Sequence, residues 1–277
     1  MSKMSLREDK LFERKKLLIR TLYILYSYFI LCLLLSNFSI ECKQRIIQSN
    51  DSKIHLKVKG PGNIMILSTY FENLPNETYI NGNLQNEISR YYDFINSTYD
   101  VTLIWKYDLN IVYQMFKGCS NIIEIDFSDF DSSRVKNTFE MFYECTSLTS
   151  INFCNFDTSK VTNMTYIFYR CSSLTSLDLF NFNTSMASNM ASMFNGCREL
   201  ISLNLSSFNT AKVGNMQYMF YACSKLSVLD LSSFNTSKVS NMASMFRGCQ
   251  ELISLNYLIF IQKVLQMQQL CLLIATH

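Results

Sequence analysis

Histidine is nearly absent: two among 277 residues, alongside two prolines, seven glycines and one tryptophan. The shortage of histidine removes the commonest general base and the commonest metal ligand from most of the chain. No glycine-rich phosphate loop, His-Glu-x-x-His or Gly-x-Ser-x-Gly motif occurs, so no catalytic residue, no metal ligand and no cofactor is expected. Proline and glycine are too few for a loop-rich sandwich or a disordered chain. A net charge of only +3 gives no electrostatic case for a nucleic-acid partner.

What is present is apolar: 48% of the residues, against 17% charged. Residues 1–20 are basic, with seven Lys/Arg and three Asp/Glu. Residues 21–40, from Thr21 to Ile40, then carry no charge at all. Twenty apolar residues in a helix span a hydrocarbon core of about 30 Å. The cations Lys15, Lys16 and Arg20 would hold the leading end in the cytoplasm. The expectation is a membrane helix, either an uncleaved signal-anchor or a signal peptide. The remainder of the chain would then be extracellular or lumenal, and the protein would sit at the cell surface or membrane.

Residues 45–100 read as a small β-rich cap. Ile54, Leu56 and Val58 alternate with polar residues, Gly60-Pro61-Gly62 marks a turn, and Ile64 and Ile66 resume the alternation. Asn81-Gly82 is a second turn signal.

From residue 101 to 256 the chain repeats itself. Cys119, Cys145, Cys171, Cys197, Cys223 and Cys249 fall at a constant interval of 26 residues. Phe116, Phe142, Phe168, Phe194, Phe220 and Phe246 keep that interval, as do Asn137, Asn163, Asn189, Asn215 and Asn241. Such periodicity marks a stacked repeat architecture. In unit 174–199, Leu174, Leu177, Leu179 and Phe182 have leucine-rich-repeat strand spacing. Asn189 stands where a helix N-cap would. Met190, Met193, Phe194 and Cys197 follow at the i, i+3, i+4, i+7 spacing of one apolar helix face. The fold class expected is α/β: a leucine-rich-repeat solenoid with parallel strands on one face and short helices on the other, a β-rich N-terminal cap and an N-terminal membrane helix. One cysteine per unit leaves no partner within a unit, so the expected role is a buried free thiol. Cys154, at an outward strand position, is the exception.

The stretch "LSSFNTSKVSNMASMFRGC", residues 231–249, resembles the repeat of BspA-type leucine-rich-repeat surface proteins. The resemblance covers about 115–256. It implies a surface-exposed solenoid used in adhesion or recognition, and it implies no catalytic residues.

The expected function is a membrane-anchored binding or adhesion module. Its partners would be the membrane, through 21–40, and a surface protein, peptide or glycan held on the concave strand face. The outward strand positions supply the candidate ligand-binding residues: Glu124, Asp126, Asn152, Asp178, Phe180, Asn204 and Asp230. Alternatives are a self-associating structural surface protein, or a frameshifted gene remnant without function. Asn50, Asn76 and Asn96 begin glycosylation sequons in the cap region.

Residues 257–277 abandon the repeat abruptly. A one-base shift, with permitted codons, restores Leu, Phe, Thr, Asn, Met-Phe and Cys at the 26-residue interval after Leu231, Phe234, Thr236, Asn241, Met245-Phe246 and Cys249. The tail is therefore expected to be an out-of-frame repeat, and its apolarity carries no functional reading.

Overall fold

A computed structural model of the protein describes residues 51–256. The chain divides into two compact units, Met1–Ile46 and Ile47–His277, and everything described belongs to the second. The basic segment 1–20, segment 21–40, Asn50 and the tail 257–277 lie outside the described residues.

The cap is built from six strands: β1 Ser52–Lys59, β2 Gly62–Met65, β3 Glu77–Ile80, β4 Asn83–Leu84, β5 Tyr91–Phe94 and β6 Thr98–Trp105. The alternation that runs through β1 has its physical outcome here, with Ile54, Leu56 and Val58 buried. β2 and β5 pair as a separate two-stranded ribbon. The repeat region adds β7 Ile122–Asp126, β8 Ser150–Asn152, β9 Ser202–Leu203, β10 Val228–Asp230 and β11 Ser254–Asn256.

One sheet crosses from cap to repeats in the order β4-β3-β6-β1-β7-β8. β1 runs antiparallel to β7, placing His55 opposite Asp126 and Lys57 opposite Glu124. From β7 onward the strands are parallel and in register, Ile125 beside Ile151 and Leu203, Leu229 and Leu255 in one row. The cap strand thus covers the edge that the first repeat would otherwise leave unpaired.

The α/β expectation is corrected by the structure. No α-helix occurs among the described residues. The segments expected to be helical are rows of tight turns. Their left-handed residues explain why: Ser192 has φ 54° and Gly196 has φ 78°, and each unit repeats the pair, as at Tyr218 and Ala222. An α-helix needs right-handed φ throughout. Amides in these segments alternate in direction. Ser192, Phe194 and Gly196 donate to Gln217, Met219 and Tyr221 of the next unit, while Met193, Asn195 and Cys197 close turns onto Met190, Ser192 and Phe194. Every second N–H therefore joins units, and the others tighten the coil, so the backbone groups are satisfied without a helix.

The row of parallel strands is also interrupted. Unit 174–199 contributes no strand, and the sheet stops at β8 and resumes as the three-stranded β9-β10-β11. The result is a β-rich, helix-free stack rather than the expected helix-bearing solenoid.

The membrane expectation is likewise corrected. Among the described residues no helix is long and apolar enough to cross a membrane. Segment 21–40, on which the signal-anchor and the cell-surface location rested, lies outside them. Both are withdrawn.

The core runs the length of the stack. Met190, Met193, Phe194 and Cys197 are all fully buried, so the apolar spacing identified the inward positions although the element is a turn row. The phenylalanines stack in a column: Phe142 on Phe168 at 5.6 Å, Phe168 on Phe194 at 5.6 Å and Phe194 on Phe220 at 5.5 Å between ring centres. Near-parallel stacking with lateral offset is favourable for aromatic pairs.

Candidate functional site: the strand face

Each position of the repeat generates a column along the stack. The column that ends the strands reads Asp126, Asn152, Asp178, Asn204, Asp230. In every unit the side-chain Oδ1 accepts a hydrogen bond from the amide two residues on: Ser128 at 2.7 Å, Cys154 at 3.0 Å, Phe180 at 2.9 Å, Ser206 at 3.0 Å and Ser232 at 2.8 Å. Asp and Asn make this turn readily because their side chains reach the backbone at that distance. The residues are consequently held in one rotamer on the same side of the stack.

Two further columns use the same device. Asn137, Asn163, Asn189, Asn215 and Asn241 accept from the amides two residues later, at 2.9–3.0 Å. They open the turn rows, where helix caps were expected. Asn183, Asn209 and Asn235 do the same and also donate their amides to the buried Thr158, Thr184 and Thr210 hydroxyls of the preceding unit at 2.7–2.8 Å.

The seven residues singled out from sequence fall at equivalent repeat positions along the strand side of the stack: Glu124 and Asp126 in β7, Asn152 in β8 and Asp230 in β10, with Asp178, Phe180 and Asn204 in stretches outside any strand. Glu124 is exposed and pairs with Lys57 of the cap strand at 3.6 Å. Asp126 and Asn152 are half-buried and joined to each other, the Asn152 Nδ2 donating to Asp126 Oδ1 at 2.9 Å. Asp178, Asn204 and Asp230 are exposed. Phe180 stands beside them 63% exposed, and Val228 is 49% exposed. Few apolar side chains of this size project from the stack so openly. Cys154 is half-buried and disulfide-bonded, so it is no reactive thiol on this face.

Sequence patterning missed the cap's share of the face. β1 sets His55 beside Asp126, and the His55 ring bridges Thr102 at 3.1 Å and Asp129 at 3.3 Å. Pairing between strands so distant in sequence has no local signal. The tyrosines on the turn side were also missed, though their 26-residue spacing was readable. Tyr143 stacks on Tyr169 at 4.5 Å, Lys117 lies 4.8 Å over Tyr143, and Lys117 and Arg170 pair with Glu140 and Glu144. These charges are satisfied by one another and staple adjacent units together.

The column cysteines are free. The thiols of Cys145, Cys171, Cys197 and Cys223 donate to the carbonyls of Phe116, Phe142, Phe168 and Phe194 at 3.0–3.1 Å. Burial pushes the Cys197 thiol up to about 12 and the less enclosed Cys249 thiol to about 11. Among the described residues no group of three or more His, Cys, Asp or Glu side chains is placed to hold a metal ion. Of the sequon residues, Asn76 and Asn96 are exposed, and Asn76 Oδ1 accepts from the Lys106 amide at 2.8 Å.

The family described as "Mycoplasma protein of unknown function, DUF285" matches residues 109–228 and 177–272, together more than half of the chain. The chain belongs to the DUF285 family. The first DUF285 match begins at residue 109, ahead of β7, and the two matches together take in every repeat unit. The second DUF285 match extends to residue 272, past β11. No curated protein and no solved structure matches the chain.

Proposed function

We propose that this chain is a non-catalytic recognition module, of the kind implied by its likeness to BspA-type repeat proteins, and that it holds a peptide or glycan along the strand face. The supporting observation is the Asp/Asn column: Asp178 and Asn204 are exposed, yet each is fixed by a hydrogen bond to its own turn. A ligand that binds pre-set groups meets a smaller entropy cost than one that must order them. Phe180 supplies an apolar contact in the middle of this polar row. The chemistry offered is directional hydrogen bonding at a regular period, with carboxylates spaced by amides. That arrangement suits an extended ligand with its own repeat of donors.

The test uses substitutions that neighbouring units already tolerate. Asp178→Asn and Asn204→Asp keep the turn acceptor and exchange charge, and Phe180→Ser installs the residue found at Ser206 and Ser232. The full-length chain is screened on peptide and glycan arrays. The expected result is a defined set of bound probes that the triple variant loses by tenfold or more while staying folded at the assay temperature, its melt lowered only by the new carboxylate beside Asp230. Equal binding by the triple variant to every bound probe removes the strand face from the account.

A further inference from the structure

Between the strand side and the turn side, each unit presents a flank that neither the strand-face reading nor the core uses. One column on this flank reads Arg134, Lys160, Met186, Lys212 and Lys238, and every member is exposed. Lys212 Nζ reaches Met186 Sδ at 3.0 Å, so the column is contiguous between units. Lys136 extends the basic group on the adjoining column. At the cap end the flank deepens into an open cleft of about 650 Å³ lined by Ile111, Tyr113, Arg134, Lys136 and Lys160. That is a volume suited to a small ligand or one sugar residue.

Two of the three cations of the cleft are held in place. Lys160 Nζ donates to the Ser133 carbonyl at 2.8 Å, and Arg134 pairs with Asp108 at 3.0 Å. Two further carboxylates, Asp131 and Asp157, turn their Oδ1 atoms onto the Ser133 and Ser159 amides. Further along, the equivalent residues are the neutral Asn209 and Asn235, so Lys212 and Lys238 have no carboxylate on that column.

We propose that this flank binds a linear anionic polysaccharide, with the acid group of one sugar seated in the cleft and later acid groups meeting Lys212 and Lys238. Three features point to an acidic sugar chain. The first is the period: parallel coils repeat at about 4.8 Å, whereas one strand of B-form nucleic acid advances about 3.4 Å per phosphate. The second is the flanking hydroxyl row. Thr162, Ser188 and Ser240 donate to the carbonyls of Lys136, Thr162 and Gly214 at 3.0–3.3 Å, which leaves their oxygens to accept from sugar hydroxyls. The third is the single aromatic, Tyr113, at the cleft. A non-specific single-strand binder stacks successive bases on successive aromatics, and this flank provides a platform at one end only.

The experiment measures binding of the full-length chain to polygalacturonate, dextran sulfate, unsubstituted dextran and oligo(dT) over a range of salt. Binding to the two acidic polysaccharides is expected to weaken steeply with salt, with no binding to dextran. The Lys136→Ala/Lys160→Ala/Lys212→Ala variant is expected to lose tenfold or more, and Tyr113→Ala several-fold. Lys225→Ala, whose ammonium pairs with Glu199 elsewhere, should bind as the parent does. The triple strand-face variant should also retain polysaccharide binding, which separates this site from the strand-face ligand. Unchanged polysaccharide binding by the lysine triple variant overturns the proposal and assigns the affinity to other cations, such as those of residues 1–20. Tighter binding to oligo(dT), lost by the same substitutions, overturns it in favour of a nucleic acid.

Discussion

The Asn152 side chain donates a 2.9 Å hydrogen bond to Asp126, the residue one repeat earlier in the same column. The column alternates carboxylate and amide, Asp126, Asn152, Asp178, Asn204, Asp230. Stacked units would otherwise bring like charges to about 5 Å. An amide between two carboxylates removes that repulsion and contributes a donor.

Asn152→Asp tests the alternation. The new carboxylate loses the hydrogen bond to Asp126 and sits between two like charges, at a cost of about 1–2 kcal/mol at neutral pH. Like-charge crowding raises the carboxylate pKa in the folded state. The penalty therefore applies above that pKa and is relieved as pH falls below about 4. Thermal melts of parent and variant should differ by several degrees at pH 7 and converge near pH 3.5. A gap that does not change with pH would contradict the charge argument.

The left-handed turn residues give a second test. A Cβ at Gly196, where φ is 78°, would meet Arg170 Cγ at 3.1 Å and Arg170 Cα at 3.4 Å. Gly196→Ala should cost about 1–2 kcal/mol, read as a lower urea midpoint with an unchanged slope. In a helix the same change would stabilise by about 1 kcal/mol, so its sign separates the two structures.

The buried thiols give a third. Their folded pKa values are raised above the unfolded value of about 8.5, to about 12 at Cys197 and about 11 at Cys249. A raised folded pKa means that stability is complete below about pH 8.5 and is lost as pH rises towards those values. Each thiol then costs about 1.4 kcal/mol per pH unit in that window. Urea unfolding at pH 8 and pH 10 should show this loss, and Cys197→Ala should reduce it by one thiol's share. Iodoacetamide at pH 8 followed by peptide mapping should leave Cys171, Cys197 and Cys223 unmodified until denaturant is added. Rapid modification in the native state would contradict their burial.

The inward positions were legible in the sequence, and the local conformation was not. Met190, Met193, Phe194 and Cys197 were correctly placed in the core because both a helix and a row of αR/αL turns bring the i, i+3, i+4, i+7 positions to one side. Glycine at 118, 196 and 248, always just before the cysteine, was the available signal against a helix, since glycine in so short a helix is costly. The columns of the strand face were legible from the repeat. Their turn hydrogen bonds were not, because Asp and Asn at those positions also fit simple solvent exposure. The contribution of His55 and Lys57 depended on β1 pairing with β7, across some seventy residues, and no short-range pattern encodes that.

The central claim is that alternate amides bond between units instead of within a helix. Scalar couplings across hydrogen bonds, measured by NMR on the isotope-labelled protein, report which carbonyl each amide meets. The Phe194 amide is expected to couple to the Met219 carbonyl, the 2.9 Å contact between adjacent repeats. A coupling from Phe194 to the Met190 carbonyl, four residues earlier, would establish a helix and contradict the account.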